Sequence, residues 1–313
     1  MPTALIRFPD DDALAAACRS LAAGGLVGMP TETVYGLAAD ATSDAAVAKL
    51  YAAKGRPRFN PLIAHIRALD VAETQGLLSD DARRLARRFW PGPLTLVVPI
   101  SQSTTVCSLA RAGLTTLALR VPDHPVAQDL LDRWGVPLVA PSANPSGQLS
   151  PVSAEAVVAG LGDRIDLVLE GGAPRVGLES TIVDCTSDEP VMLRPGGLDR
   201  AELEAALGRP LKSASGDPNA PNAPGQLLRH YAPRASLRLS AKQKELGEGM
   251  LGFGTVDGDL NLSASGNLQE AAANLFAMLH SLDGMFDRIA VAPVPDQGLG
   301  EAINDRLKRA AAR

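Results

Sequence analysis

The sequence predicts an α/β protein of two domains, and three observations carry that prediction. Its 313 residues are 46% hydrophobic, enough chain and apolar content for two cores. Short apolar runs punctuated by glycine and proline alternate with segments whose apolar residues recur at helical spacing. Residues 209–228 break that alternation: Pro210, Pro218, Pro221 and Pro224, set among Ser, Asn, Ala and Gly, cannot build a core and read as a linker. The expected divisions are therefore 1–208, a linker over 209–234, and a second domain over 235–313.

Taken in order, residues 12–23 form a helix with Leu14, Cys18 and Leu21 on one stripe and Gly24-Gly25 as its stop. A short strand at 26–29 is broken by Pro30, which lacks a ladder donor. The small polar groups of Thr31-Glu32-Thr33 are thereby left to face a ligand. Ser43 caps a helix whose Val47, Leu50 and Tyr51 face inward and whose last residue is Lys54. Lys54, Arg56 and Arg58 then fall within five residues, stiffened by Gly55, Pro57 and Pro61. Such a loop suits a polyanion, although a turn with solvated charges has the same composition. In the strand at 62–66 the single polar residue is His65, either a satisfied core histidine or a ligand contact.

Ser79 caps a further helix with Leu85, Ala86 and Phe89 inward; Arg83, Arg84, Arg87 and Arg88 read as its solvated face. Trp90-Pro91-Gly92-Pro93 stops it, and a strand follows at 94–98. In the strand at 116–121, Thr116, Ala118 and Arg120 share one face by the period of two. An arginine there marks a pocket floor or a solvated edge, and the spacing leaves both open. The strand at 136–140 runs into Pro141-Ser142-Ala143-Asn144-Pro145, a stiff loop at a strand end where α/β sheets commonly bind ligands. Strands at 165–170, 178–185 and 191–194 follow, the last ending in Arg194-Pro195-Gly196-Gly197. Asp199 and Glu202 form a capping box for a helix that Gly208 ends. From Ser236 on, the pattern is strand and helix in alternation, with a strand at 250–255, a helix at 267–281 capped by Asn267 with Glu270, a strand at 288–294 and a last helix. That implies a small parallel Rossmann-like βαβ domain. Gly252-Phe253-Gly254 lacks the third glycine of a dinucleotide fingerprint and reads as a turn.

Composition narrows the function. A net charge of −5, with 4% aromatic residues, argues against a chain that grips RNA through phosphates and stacked bases. Cys18, Cys107 and Cys185 have no metal or disulfide spacing and are expected as free thiols in the core. The N-terminus lacks a secretory apolar run and no stretch approaches a membrane span, so a soluble cytoplasmic protein is expected.

The segment from Pro30 to Leu37, Lys54-Gly55-Arg56 and Ser142-Ala143-Asn144 together resemble the signature of the YrdC-like family of threonylcarbamoyl-adenylate synthases. The resemblance runs from about residue 10 to 205. It resumes through Arg229-His230-Tyr231-Ala232-Pro233 to the C-terminus, as in the longer two-domain members. It implies a twisted open mixed sheet with helices, followed by the small Rossmann-like domain. It also implies condensation of L-threonine, bicarbonate and ATP into threonylcarbamoyl-AMP and pyrophosphate, the activated intermediate for threonylcarbamoyladenosine beside the tRNA anticodon.

By the same resemblance Thr33, His65, Arg120, Ala140 and Ser180 line a threonine site, with Arg120 as bidentate partner of the carboxylate. Arg56, Asn60, Thr116, Ser142, Ser150, Arg194 and Tyr231 bind ATP, Lys54 adds charge at the phosphates, and Asn144 completes its loop. The linker folds over the nucleotide. Catalysis rests on Lys54 and Arg56 as charge stabilisers, without an acid/base pair. Magnesium is expected with ATP, held by phosphates and water and not by protein side chains. The partner expected downstream is the transferase machinery acting on tRNA, with weak or no direct tRNA binding. Two other functions fit the fold class: a carbamoyl-transfer enzyme, whose cysteine pairs and acylphosphatase module are missing from this sequence, and an RNA-binding module.

Overall fold

The protein is described here by a computed structural model covering residues 5–214 and 230–312. The first domain opens with β1 (Leu5–Arg7), α1 (Asp11–Ala22), β2 (Val27–Met29), β3 (Gly36–Asp40), α2 (Asp44–Lys54) and β4 (Ile63–His65). It continues through α3 (Leu69–Gln75), α4 (Asp80–Phe89), β5 (Leu94–Pro99), β6 (Thr116–Arg120), α5 (Pro125–Trp134), β7 (Leu138–Val139) and α6 (Ala154–Leu161). It closes with β8 (Leu167–Leu169), β9 (Thr181–Asp184), β10 (Val191–Arg194), α7 (Arg200–Leu207) and β11 (Lys212–Ser213). Among the described residues these strands form one sheet in the order β1-β8-β2-β3-β7-β4-β6-β5-β9-β10-β11. Parallel pairs such as β4 with β6 and β5 with β9 are interleaved with antiparallel ones such as β5 with β6, so the sheet is mixed, as expected.

Helix ends follow local chemistry. Ser43 and Ser79 each accept a hydrogen bond from the backbone N–H three residues on, and Asp199 accepts from Ala201 and Glu202. Gly55 and Gly208 end their helices in the left-handed conformation, where a side chain would be strained. Leu37, Leu50, Leu85, Leu96 and Leu119 belong to the core on one side of the sheet. Leu14 and Leu21 of α1 and Leu130 of α5 pack with Leu138 and Leu167 in a second core.

The second domain comprises β12 (Ser236–Arg238), β13 (Gly249–Gly252), β14 (Leu260–Asn261), α8 (Leu268–Asp283), β15 (Arg288–Val291) and α9 (Leu299–Ala311). Its strands are all parallel, in the order β12-β15-β13-β14. Leu275, Phe276 and Leu279 of α8 and Ile303 and Leu307 of α9 fill its core.

Several expectations are corrected. No helix lies between β12 and β13; charged residues and Gly247, with positive φ, occupy that turn, leaving no apolar stripe to bury. Pro30–Tyr35 is followed by a strand, β3, that pairs antiparallel with β2, so the segment is a buried hairpin connection. The glycine and alanines of β3 give a weak strand signal, and burial supplies what propensity does not. Lys212–Ser213 pair with β10 as an edge strand, inside the stretch read as linker. Residues 215–229 of that stretch, including Arg229, lie outside the described residues. Only Cys185 of the three free thiols is buried; Cys18 and Cys107 are half-buried.

Candidate functional site

The site stands on the middle of the large sheet. Parallel pairing of β4 with β6 sets His65 beside Arg120 and Ile63 beside Ala118. Ile63, Ala118, Val97 and Ile182 make a small apolar floor next to the polar groups. Arg120 is therefore a buried pocket residue and not a solvated edge.

The hairpin connection arches over this floor. Arg120 Nη2 donates to Glu32 Oε1 at 2.7 Å and to Thr33 Oγ1 at 2.8 Å. Glu32 Oε2 in turn accepts the Asp123 backbone N–H at 3.0 Å. Both Nη2 hydrogens are thus engaged, and the carboxylate fork foreseen for Arg120 is partly occupied by the protein itself. Its Nε is buried, has no partner among the described residues and remains available. His65 Nδ1 lies 3.2 Å from the Ile63 carbonyl. Burial, reinforced by Arg120, pulls the His65 pKa down to about 3, so the ring is neutral at physiological pH. With Nδ1 donating to that carbonyl, Nε2 is an acceptor.

Two further guanidinium groups complete the cavity. Arg56 donates to the carbonyls of Asn60 (3.3 Å) and Pro61 (3.0 Å). Arg194 reaches the Ser180 carbonyl from Nε (3.1 Å) and Nη2 (2.8 Å), and Ser180 Oγ from Nη2 (3.2 Å). Burial lowers both pKa values, that of Arg56 to about 10, and both side chains stay cationic near neutrality. Like charges held close in a poorly solvated pocket are unfavourable unless an anion joins them.

Thr33, Arg56, His65, Arg120, Ala140 and Ser142 line one cavity of about 50 Å³ together with Ser180, Arg194 and Tyr231. The other predicted residues, Lys54, Asn60, Thr116, Asn144 and Ser150, do not line this cavity. Lys54 is buried, and burial, reinforced by Arg56 and Arg164, holds its pKa well below the usual lysine range; its Nζ donates to the carbonyls of Ser142 and Asn144, both at 2.5 Å. It therefore clips the end of α2 to the Ser-Ala-Asn loop and does not itself line the cavity. Asn144 Nδ2 braces the loop through the carbonyls of Pro145 and Gln148. Ser150 Oγ bonds Glu179. Thr116 is at the far end of β6 on the Arg120 face, about 13 Å away by strand rise. Asn60 is wholly buried, yet neither its amide nitrogen nor its amide oxygen has a partner among the described residues. The Asn144 amide oxygen and the Tyr231 hydroxyl likewise have no partner among the described residues. Buried polar atoms left unpaired in a native fold are costly, and two of these, Arg120 Nε and the Tyr231 hydroxyl, belong to residues that line the cavity, as a surface made for a polar ligand requires.

Four ionisable residues that line or support the cavity were not singled out as site residues from sequence: Glu32, Glu179, His230 and Arg306. Glu32 and Glu179 lie in the buried runs Thr31-Glu32-Thr33 and Leu178-Glu179-Ser180, where a carboxylate among small hydroxyls needs a cationic partner. Arg306 falls on the apolar stripe of α9 with Ile303 and Ala310, an anomaly visible in the spacing.

Comparison with known proteins agrees with this geometry. The family described as Telomere recombination matches residues 19–196, and that described as Threonylcarbamoyl-AMP synthase, C-terminal domain, matches residues 198–312. The chain is 40% identical over 311 residues to a threonylcarbamoyl-AMP synthase of Pyrococcus abyssi, covering 92% of this chain and 91% of that one. It is 38% identical over 326 residues to the Bacillus subtilis protein of the same name, covering 96% and 94%. The crystal structure of P. abyssi Sua5 complexed with L-threonine superposes with a TM-score of 0.88 at 37% identity, covering 98% of this chain and 96% of that chain. A cationic pocket under a hairpin arch, a second α/β domain beside it, and likeness along almost the whole length lead to one conclusion: this chain belongs to the threonylcarbamoyl-AMP synthase family.

Proposed function

We propose that this chain condenses L-threonine, bicarbonate and ATP into threonylcarbamoyl-AMP and pyrophosphate, supplying the activated group for threonylcarbamoyladenosine beside the tRNA anticodon. The observation that carries this is the meeting of three buried guanidinium groups, Arg56, Arg120 and Arg194, with a neutral histidine in one cavity. Dependence on an amino acid and a nucleotide together fits that charge.

Threonine occupies the Arg120 side. Its carboxylate takes the free edge of Arg120, and neutral His65 offers Nε2 to a hydroxyl or amine hydrogen. Thr33 and Ser180 supply hydroxyls, and Ala140 keeps the wall close to the ligand. The threonine amine combines with bicarbonate to give a carbamate with loss of water, and a carbamate oxygen then attacks the α-phosphorus of ATP as pyrophosphate leaves. Alignment and cancellation of developing phosphate charge do most of this work, so no dedicated proton-transferring pair is required. Arg56 and Arg194 carry that charge. Asn60, Ser142, Asn144, Ser150 and Thr116 shape the nucleotide side, and Lys54 holds its loop.

Magnesium would arrive with ATP. The carboxylate in the cavity wall, Glu179, is already engaged by Arg306 and Ser150, so phosphate oxygens and water would be the ion's ligands. When bound, the ion neutralises phosphate charge.

His230 and Tyr231 fill the nucleotide side, and about 50 Å³ is far below the roughly 300 Å³ or more of a small-molecule site. ATP entry therefore requires these two residues to move, and their return would exclude water from a labile anhydride. The substrates and tRNA make the cytoplasm the expected location; no helix among the described residues is long and apolar enough to cross a membrane. The product passes to a threonylcarbamoyl transferase, with little direct tRNA contact by this acidic chain.

Pyrophosphate release tests the proposal. It is expected only when ATP, threonine and bicarbonate are all present. Release that ignores threonine, or RNA affinity without release, contradicts it.

A further inference from the structure

Arg306 is a C-terminal-domain residue buried against the catalytic cavity. It lies on α9 and is 1% exposed. Its Nε donates to Glu179 Oε2 at 2.7 Å, and its Nη1 donates to Asp305 Oδ2 at 2.6 Å. Its guanidinium carbon stands 5.0 Å from the centre of the Tyr231 ring. Its Nη2 is buried and has no partner among the described residues. Glu179 is part of the cavity wall and takes the Ser150 hydroxyl at 2.5 Å on its other oxygen. One side chain of the second domain therefore touches both the acidic group of the site and the aromatic ring that fills its nucleotide side.

Electrostatics gives this placement a consequence. A carboxylate in the wall of a pocket meant for triphosphate opposes its ligand unless a cation is bound to it, and in a poorly solvated site that opposition is large. Among the described residues the ion pair to Glu179 comes from Arg306, and the nearby Arg194 adds to its attraction. We propose that Arg306 is a positioning residue through which the C-terminal domain sets nucleotide affinity. It masks Glu179 and seats Tyr231, and its unpartnered Nη2 leaves it able to shift toward an incoming anion. This rests on the function proposed above, and it assigns to the second domain an electrostatic task within the site of the first.

The full-length chain tests it with opposite charge deletions. Arg306→Met uncovers the carboxylate, and KM for ATP is expected to rise at least tenfold, with a smaller change in kcat. Glu179→Gln leaves the guanidinium without its counter-ion and in want of an anion, and KM for ATP is expected to fall severalfold. Combining the two substitutions should bring KM back to within about threefold of wild type. L-threonine affinity, measured by calorimetry, should change less than twofold throughout.

A merely structural pair would weaken ATP binding in both single variants, and that result overturns the proposal. An unchanged KM in Arg306→Met overturns it too. Should Arg306→Met fail to fold, the sign of the change in Glu179→Gln decides alone. Wild-type protein that releases no pyrophosphate in response to threonine would instead refute the underlying function, a separate outcome.

Discussion

Replacing Glu32 by Gln probes the arch over the threonine side. Glu32 and Arg120 are both nearly inaccessible, with side chains 1% and 5% exposed and 2.7 Å apart. Breaking a buried pair by removing one partner costs about 3–5 kcal/mol, because the remaining charge is left uncompensated. Glutamine keeps the shape and one acceptor, so the loss should be nearer that of a hydrogen bond to a charged group plus some residual repulsion, about 2–3 kcal/mol. At about 2–4 °C per kcal/mol for a chain of this size class, the thermal midpoint should fall by about 5–10 °C. Saturating L-threonine should then raise the midpoint more in the variant than in wild type, since the ligand's carboxylate replaces the lost counter-charge. Thermal melts with and without threonine measure both effects. An unchanged midpoint, or an equal or smaller rise with threonine, refutes the assignment of Arg120 to the carboxylate.

Three further outcomes follow from the same geometry. Lys54→Met should free the Ser142 and Asn144 carbonyls, raising KM for ATP at least tenfold while calorimetric threonine affinity is retained, given about 0.5–1.5 kcal/mol for each of the two hydrogen bonds lost. Gly196→Ala should abolish turnover and lower the melting midpoint, since a Cβ there would run into the Glu179 carbonyl and the backbone joining Ser180 to Thr181, and urea titration reads the loss. His65→Gln tests pH dependence. The unfolded histidine binds a proton below about 6.5 and the folded one only near 3, so its contribution to stability is complete above pH 6.5 and shrinks as pH falls toward 3. The slope is about 1.4 kcal/mol per pH unit. Between pH 7 and pH 5 the variant should lose about 2 kcal/mol less stability than wild type, measured by urea denaturation at each pH.

Much of the architecture was legible because local signals and tertiary packing agree. Ser43, Ser79, Asp199 and Asn267 announce helices that form where they point, and Gly55 and Gly208 end theirs. β3 was not legible, because its glycine and alanines become a strand only through pairing with β2 and β7. The site divides similarly. Single residues such as His65 and Arg120 carried two readings each, and only the β4–β6 register sets them side by side. The position of Lys54 behind its loop depends on carbonyl contacts with residues 142 and 144, which no local pattern encodes. Glu32, Glu179 and Arg306 were harder still. A buried charge is recognised by its partner, and these partners lie 88 residues apart for the first pair and 127 for the second.

Carbon-13 bicarbonate offers the most direct measurement of the central claim, that one cationic cavity joins an amino acid's carbamate to a nucleotide. Incubating the chain with labelled bicarbonate, L-threonine and ATP and weighing the nucleotide products by mass spectrometry should reveal threonylcarbamoyl-AMP carrying the heavy carbon. That species should vanish when Arg120 or Arg194 is replaced by alanine in protein that still folds. An adenylate without the label, or labelled product made undiminished by both variants, would contradict it.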